Sequence, residues 1–183
     1  MSATPSHPEY CFRTWESGDG RHLFELNADP RVLRWTGDLP FLDVHEAEAF
    51  VGRYTHFSDF GFGRWLVTRK EDGALLGWAG LRQANGQIDL GFRWHHRYWN
   101  QGHARRTGKA ILSWARHQNI LEIFAQHHPE NQASSALLMG LGFRPASAWQ
   151  GADAGWRTYV CPPTPRRESR AQKKRAPRGG GVG

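Results

Sequence analysis

The chain is poor in the features that would mark a secreted, membrane-spanning or metal-built protein. Only two of its 183 residues are cysteines, Cys11 and Cys161, far apart and without metal-ligand spacing. Two free thiols fit a reducing cytoplasm rather than a disulfide scaffold. No apolar run approaches the ~20 residues that span a bilayer. Met1 to Pro8 has neither the basic start nor the apolar stretch of a secretory signal, so a cytoplasmic protein with no membrane contact is expected. No internal repeat is visible.

Charge of one sign is scarce in most of the chain. The net charge is +7, yet residues 166 to 183 carry seven Arg or Lys against Glu168 alone, which leaves +1 for the first 165 residues. The basicity belongs to a tail with almost nothing apolar to bury, and disorder is expected there. Such a tail has two readings: a solubilising segment, or a contact for RNA, the ribosome or another polyanion, marked by salt-dependent binding. The expected organisation is a flexible start over 1–8, one domain over 9–161, and the tail over 162–183.

Within the domain, large apolar groups are plentiful; there are nine Trp. Glu9 to Trp15 reads as a strand. Asp19 to Asn27 reads as a helix stopped by Asp29-Pro30. Asp43 suits a helix N-cap, with Glu46 as its capping-box partner and Ala47, Phe50, Val51 and Tyr54 as the apolar stripe. Gly63 to Arg69 and Ala74 to Arg82 flank the turn Glu71-Asp72-Gly73, and Gln87 to Trp94 follows Asn85-Gly86. Three antiparallel strands are therefore expected. A helix over Gly102 to His117, a strand over Leu121 to Ala125, a helix over Ser134 to Leu141 closed by Gly142, and a strand over Gly155 to Cys161 complete an α+β pattern.

The passage from the third strand into the long helix is the most telling. Its tip, Asn100, Gln101, Gly102, His103 and Ala104, carries no large apolar side chain. Backbone N–H groups left open at a helix start, with small residues beside them, form a place for phosphate. It matches neither the G-x-G-x-x-G fingerprint nor a G-K-[ST] loop, and a glycine there also has a purely geometric reading.

Trp99-Asn-Gln-Gly-His-Ala104 resembles the acetyl-CoA pyrophosphate loop, [RQ]-x-x-G-x-[GA], of the GNAT superfamily of N-acetyltransferases. The likeness is greatest to the ribosomal-protein (RimJ/RimL-like) branch. Arg13 and Trp15 resemble its R-x-W, Asn27 to Val32 its N-x-D-P-x-V, Ile88 to Phe92 its E-I-G-Y strand, and Asn131, Ser134 and Gly142-Phe143 its N-x-x-S and G-F. Arg106 and Asp89 stand where that branch usually has Glu. The resemblance implies a three-layer fold, a mixed and mostly antiparallel sheet with helices on both faces. It also implies acetyl-CoA as co-substrate, held by main chain of Phe92, Trp94 and His96 and by Gln101, Gly102, His103, Ala104 and Arg105.

Acetyl transfer to an amine needs a polarised thioester carbonyl, a proton acceptor and a stabilised leaving thiolate. The resemblance places the first at the Trp94 amide. The Tyr that many family members use for the thiolate is replaced by Leu138, and Ser134 offers a hydroxyl instead; its other reading is a plain N-cap. Asn131 is expected to order the strand end and a pantetheine carbonyl. Asp89 is the candidate base, through water because it is shorter than Glu, with Asp38, Asp153, His95 and His96 behind it. Neither histidine pair, His95-His96 or His127-His128, has zinc spacing, so no metal is expected. Trp35 and Trp65 read as core residues or as walls of an acceptor cleft.

The expected activity is acetyl transfer from acetyl-CoA to a primary amine, a protein N-terminus or a small molecule, by a monomer or homodimer. The alternatives are a CoA-binding regulatory module without turnover and an RNA- or ribosome-binding protein acting through its tail.

Overall fold

The computed structural model describes residues 4–148 and 154–162. The basic tail and Asp153 lie outside that range. Seven strands form one sheet in the order β1-β2-β3-β4-β5-β7-β6. They are β1 (Tyr10–Arg13), β2 (Arg64–Arg69), β3 (Leu75–Ala84), β4 (Gln87–Trp94), β5 (Ile123–His127), β6 (Arg144–Pro145) and β7 (Arg157–Cys161). Every neighbouring pair is antiparallel except β4 and β5, which run parallel.

The helices divide between the faces. On one lie α1 (Gly20–Ala28), α2 (Pro30–Leu33) and α3 (Val44–Gly52), closing a core of Leu23, Leu26, Val32, Ala47 and Val51 over Leu66 and Trp78. Between α3 and β2 comes the short α4 (His56–Phe60). On the other face, α5 (His103–His117) and α6 (Gln132–Gly140) cover Trp65, Val67, Leu76, Leu81 and Leu90. Strand alternation sends Trp65 and Val67 to one core and Leu66 to the other. Trp65 is fully buried and packs edge-on against Trp114, so it is core and walls no cleft.

Local chemistry explains most element ends. Asn85 and Gly86 both have positive φ, as a two-residue hairpin turn requires, and they fix the start of β4 at Gln87. Asp43 accepts from the Glu46 N–H, but the Glu46 carboxylate reaches back to the Leu42 N–H rather than to Asp43. Gly142, at φ +94°, ends α6 in a Schellman motif: Gly142 N donates to Met139 O and Phe143 N to Leu138 O. The two residues that this motif brings together, Leu138 and Phe143, are both buried.

Three expectations need correction. Asp29-Pro30 does not simply stop a helix; the Asp29 side chain caps α2, with Pro30 in its first turn. β5 starts two residues later than the apolar run suggests, because Leu121 is exposed and Ile123, Ala125 and His127 face inward. β1 is shorter than Glu9 to Trp15: it ends at Arg13, still paired with Leu66; the Arg13 side chain holds Asp19 in a two-pronged ion pair, and the Trp15 indole beyond it donates to the Arg64 carbonyl.

Candidate functional site

The site begins at a break in the sheet. β4 and β5 are in register at one pair, Asp89↔Phe124, and β4 then continues to Trp94 without β5 beside it. β5 turns its other edge to β7 along its full length. A wedge therefore opens at the carboxyl ends of the two parallel strands, where ligands of α/β sheets collect. Each strand delivers the chain to a helix at that end: β4 to α5, and β5 to α6.

Along the open part of β4 the main chain is presented by parity. His95 N donates to Leu76 O on β3, so Arg93 and Gly91 also direct their amides toward β3, while Phe92 and Trp94 direct theirs toward the wedge. The Trp94 carbonyl accepts from the Trp99 indole, and its N–H stays on the open side. β4 stops at Trp94. His96, expected beside Phe92 and Trp94 among the main chain that holds the cofactor, is not on the strand, because His96 to Tyr98 is a tight 3-10 turn in which the His96 carbonyl accepts from Trp99 N. His95 and His96 thus lie outside the strand; burial lowers the pKa of His95.

The loop that follows reverses twice into left-handed conformation, at Asn100 (φ +60°) and Gly102 (φ +76°). Gly102 is the N-cap of α5 and caps nothing with a side chain. Among the described residues the N–H groups of Gln101, Gly102, His103, Ala104 and Arg105 find no protein acceptor; the first loop-to-helix bond is Arg106 N to Gly102 O. Gln101, Gly102 and Arg105 are exposed. Successive free amides around left-handed residues, at the positive end of a 15-residue helix, form an anion cradle. The side chains do not follow the amides. His103 turns inward and is buried, with Nδ1 2.8 Å from the Tyr10 hydroxyl and Nε2 3.2 Å from Gln101 Oε1.

On the far side of the wedge, Asn131 caps α6 by accepting from Ser134 N at 3.0 Å. This decides one question: the cap is Asn131, and Ser134 is not a plain N-cap. Ser134 is half-buried in the first turn, and its hydroxyl meets no protein partner among the described residues. Its neighbour Ser135 is occupied, 2.8 Å from the Tyr159 hydroxyl. Leu138 is 1% exposed and lies in the core, away from the wedge's solvent-facing side.

The face of β4 toward α1 is crowded with paired charge. Asp89 is buried, with Oδ2 2.6 Å from Arg64 and Oδ1 2.9 Å from Arg82. The Arg64 guanidinium lies over Gly91, where a Cβ would come within 1.6 Å of its Nη1, so a larger residue there would displace the guanidinium from its place against the strand. Arg93 binds Asn27 and Asp38, and both Arg64 and Arg93 sit over the Trp78 ring. Burial pulls the Arg93 pKa down, and the Asp38 carboxylate opposes that. Farther along the same edge, Trp35 meets His128, which in turn meets Trp156. No group of three or more His, Cys, Asp or Glu among the described residues is placed to hold a metal ion.

Sequence reasoning found the loop, the strand and both members of the α6 turn. It missed Arg64 and Arg82, the partners of Asp89, and it missed Tyr10, 93 residues from His103. Spacing carries no signal for such contacts, since only the sheet order brings them together.

Comparison with known proteins agrees with this architecture. Residues 10–144 match the Acetyltransferase (GNAT) domain family. The chain is 27% identical over 137 residues to the uncharacterized N-acetyltransferase p20 of Bacillus licheniformis, covering 72% of this chain and 77% of that protein. The spermidine N-acetyltransferase of Vibrio cholerae, solved with CoA and spermine, superposes with a TM-score of 0.70 at 18% identity over 84% of this chain and 95% of that one. RimL, the ribosomal L7/L12 α-N-protein acetyltransferase solved with coenzyme A, gives 0.71 at 16% identity, covering 85% and 95%. At such identities the structural likeness speaks for the fold, and it favours neither a polyamine nor a ribosomal branch. The family match covers most of the chain, and the wedge and loop lie within it: the protein belongs to the GNAT family of acetyl-CoA-dependent acetyltransferases that act on an amine.

Proposed function

We propose that this chain transfers an acetyl group from acetyl-CoA to a primary amine by direct attack, with a protein or peptide N-terminus as the favoured acceptor. The observation that carries this is the row of unengaged amides from Gln101 to Arg105 beside an open β4 edge. Gly102 and its neighbours hold the diphosphate. Main chain of Phe92 and Trp94 lies along the pantetheine, and Asn131 meets one of its carbonyls. The Trp94 N–H polarises the thioester oxygen, as a fixed donor aimed at developing charge. The Ser134 hydroxyl donates to the departing sulfur, and its freedom from other partners suits that role. Asp89 takes the amine proton through water; each carboxylate oxygen keeps a lone pair beyond its arginine contact. Asp38 and Asp89 are both engaged by arginine, so a polycationic acceptor finds no free anion in that pair. This favours an N-terminus over a polyamine.

One observation favours a second reading, a CoA-binding module without turnover: both Asp89 oxygens are already held by guanidinium groups. The test is thiol release from acetyl-CoA across a panel of peptides, polyamines and small amines, beside calorimetric binding of CoA. Release with a peptide amine supports transfer. Tight CoA binding without release for any amine supports the module, and absence of CoA binding refutes both.

A further inference from the structure

The cradle is braced by a closed ring of side chains that starts from β1, on the opposite edge of the sheet. Tyr10 is 1% exposed, its ring is in the core, and only its hydroxyl emerges beneath the loop. Arg106 Nε donates to that hydroxyl at 2.7 Å, with Glu9 at 3.1 Å as a more exposed second partner. His103 Nδ1 lies 2.8 Å from the same hydroxyl, whose proton the Glu9 carboxylate also attracts. Arg106 Nη2 also points at Nδ1 and at the Gln101 carbonyl, 3.2 Å from each. Arg106 can only donate, so its approach leaves Nδ1 without a proton: the imidazole is neutral and carries its hydrogen on Nε2, toward Gln101 Oε1. Gln101 Nε2 donates in turn to the Arg97 carbonyl at 2.8 Å.

One atom of this ring remains unused. Arg106 Nη1 has no acceptor among the described residues, and it stands 3.1 Å from the place a Cβ would take on Gly102. A cation with a free donor is thus held over the middle of the amide cradle. The geometry points to Arg106 as a side chain that reaches the diphosphate beside Gly102, with Tyr10 and His103 as the positioning residues that aim it. This rests on the coenzyme A reading above. It gives a physical account of Arg106 at a position where an acidic residue would oppose the anion.

The groups facing His103 are Tyr10 from β1 and Glu9 just before it, Arg69 from β2, Tyr98 from the turn before the loop, and Gln101 and Arg106 from the loop and helix. Burial, then the Arg106 and Arg69 charges, lowers the His103 pKa, which keeps Nδ1 free to accept.

Ligand truncation separates a phosphate contact from a structural role. Arg106→Gln should weaken CoA and dephospho-CoA, which both keep the diphosphate, by about 10- to 100-fold, the size of one charge-assisted hydrogen bond. Its kcat/KM with S-acetylpantetheine, which lacks the phosphates, should equal that of the parent protein. Tyr10→Phe keeps the core ring and should act in the same direction to a smaller degree, through KM for acetyl-CoA and not kcat. It serves if Arg106→Gln fails to fold. Loss confined to CoA, with dephospho-CoA unaffected, would move Arg106 to the 3′-phosphate and overturn the assignment. Unchanged CoA affinity in the variants, or equal losses with S-acetylpantetheine, would also overturn it. A parent protein that binds no CoA would sink the underlying reading as well.

Discussion

The two ends of the wedge are built from different materials. At the α5 end the groups offered to a ligand are chiefly main-chain amides, with the Arg106 guanidinium proposed beside them and Tyr10 and His103 behind it as braces. At the α1 face of β4 the groups on offer are side chains, and nearly all are committed: Asp89 to Arg64 and Arg82, and Arg93 to Asn27 and Asp38. A main-chain site needs only a backbone path and small residues, so it tolerates change around it. A site made of paired charges depends on each partner, because removing one leaves another buried without its counterion.

Breaking the first end should give the largest effect. Gly102→Trp places an indole in the cradle at a φ of +76°, which disfavours any side chain, and should lower CoA affinity more than 100-fold in calorimetry. A cooperative melt for this variant would confirm that the loss is local. Asp89→Asn sharpens the comparison at the second end. If Asp89 accepts the proton, kcat should fall by about 10²–10⁴ and the acidic limb of its pH profile should disappear. If it only anchors the arginines, urea denaturation should show the loss while kcat holds.

Ser134→Ala should lower kcat by roughly tenfold or more, with CoA affinity unchanged. A variant of unchanged rate would remove Ser134 from the acid role. Arg64→Met leaves Asp89 with one partner and should cost about 1.5–3 kcal/mol of stability, read by urea denaturation.

The smallest expected effect is on pH dependence. Burial lowers the pKa of His103 below 6.5, so the folded state binds fewer protons there than the unfolded chain does. The stability tied to its neutral form is complete above pH 6.5 and is lost as pH falls through the lowered value. CoA affinity should hold near neutrality and fall on the acid side, and Tyr10→Phe should flatten that fall.

The same contrast decides what could be read from sequence. The loop, β4 and α6 were legible because their signals are local: the Asn85-Gly86 turn, a small-residue tip, and Gly142 after an apolar run. The cap at Asn131 was less so, since Ser134 is an equally good capping residue and only the structure shows which one caps. Helix α2 was hidden because Asp-Pro is both a stop and a start signal. The partners of Asp89 were not legible at all. Arg64 precedes it by 25 residues, and it becomes a neighbour only because β2 and β4 flank β3, with Gly91 leaving space above the sheet. The bracing of His103 by Tyr10 is equally non-local.

The central claim is that the main chain around Gly102 grips the diphosphate of coenzyme A, and an amide-resolved NMR titration tests it most directly. On addition of CoA the N–H resonances of Gln101 to Arg105 should move together and saturate, with pantetheine leaving them in place. Saturable CoA binding with these resonances unmoved would contradict the account.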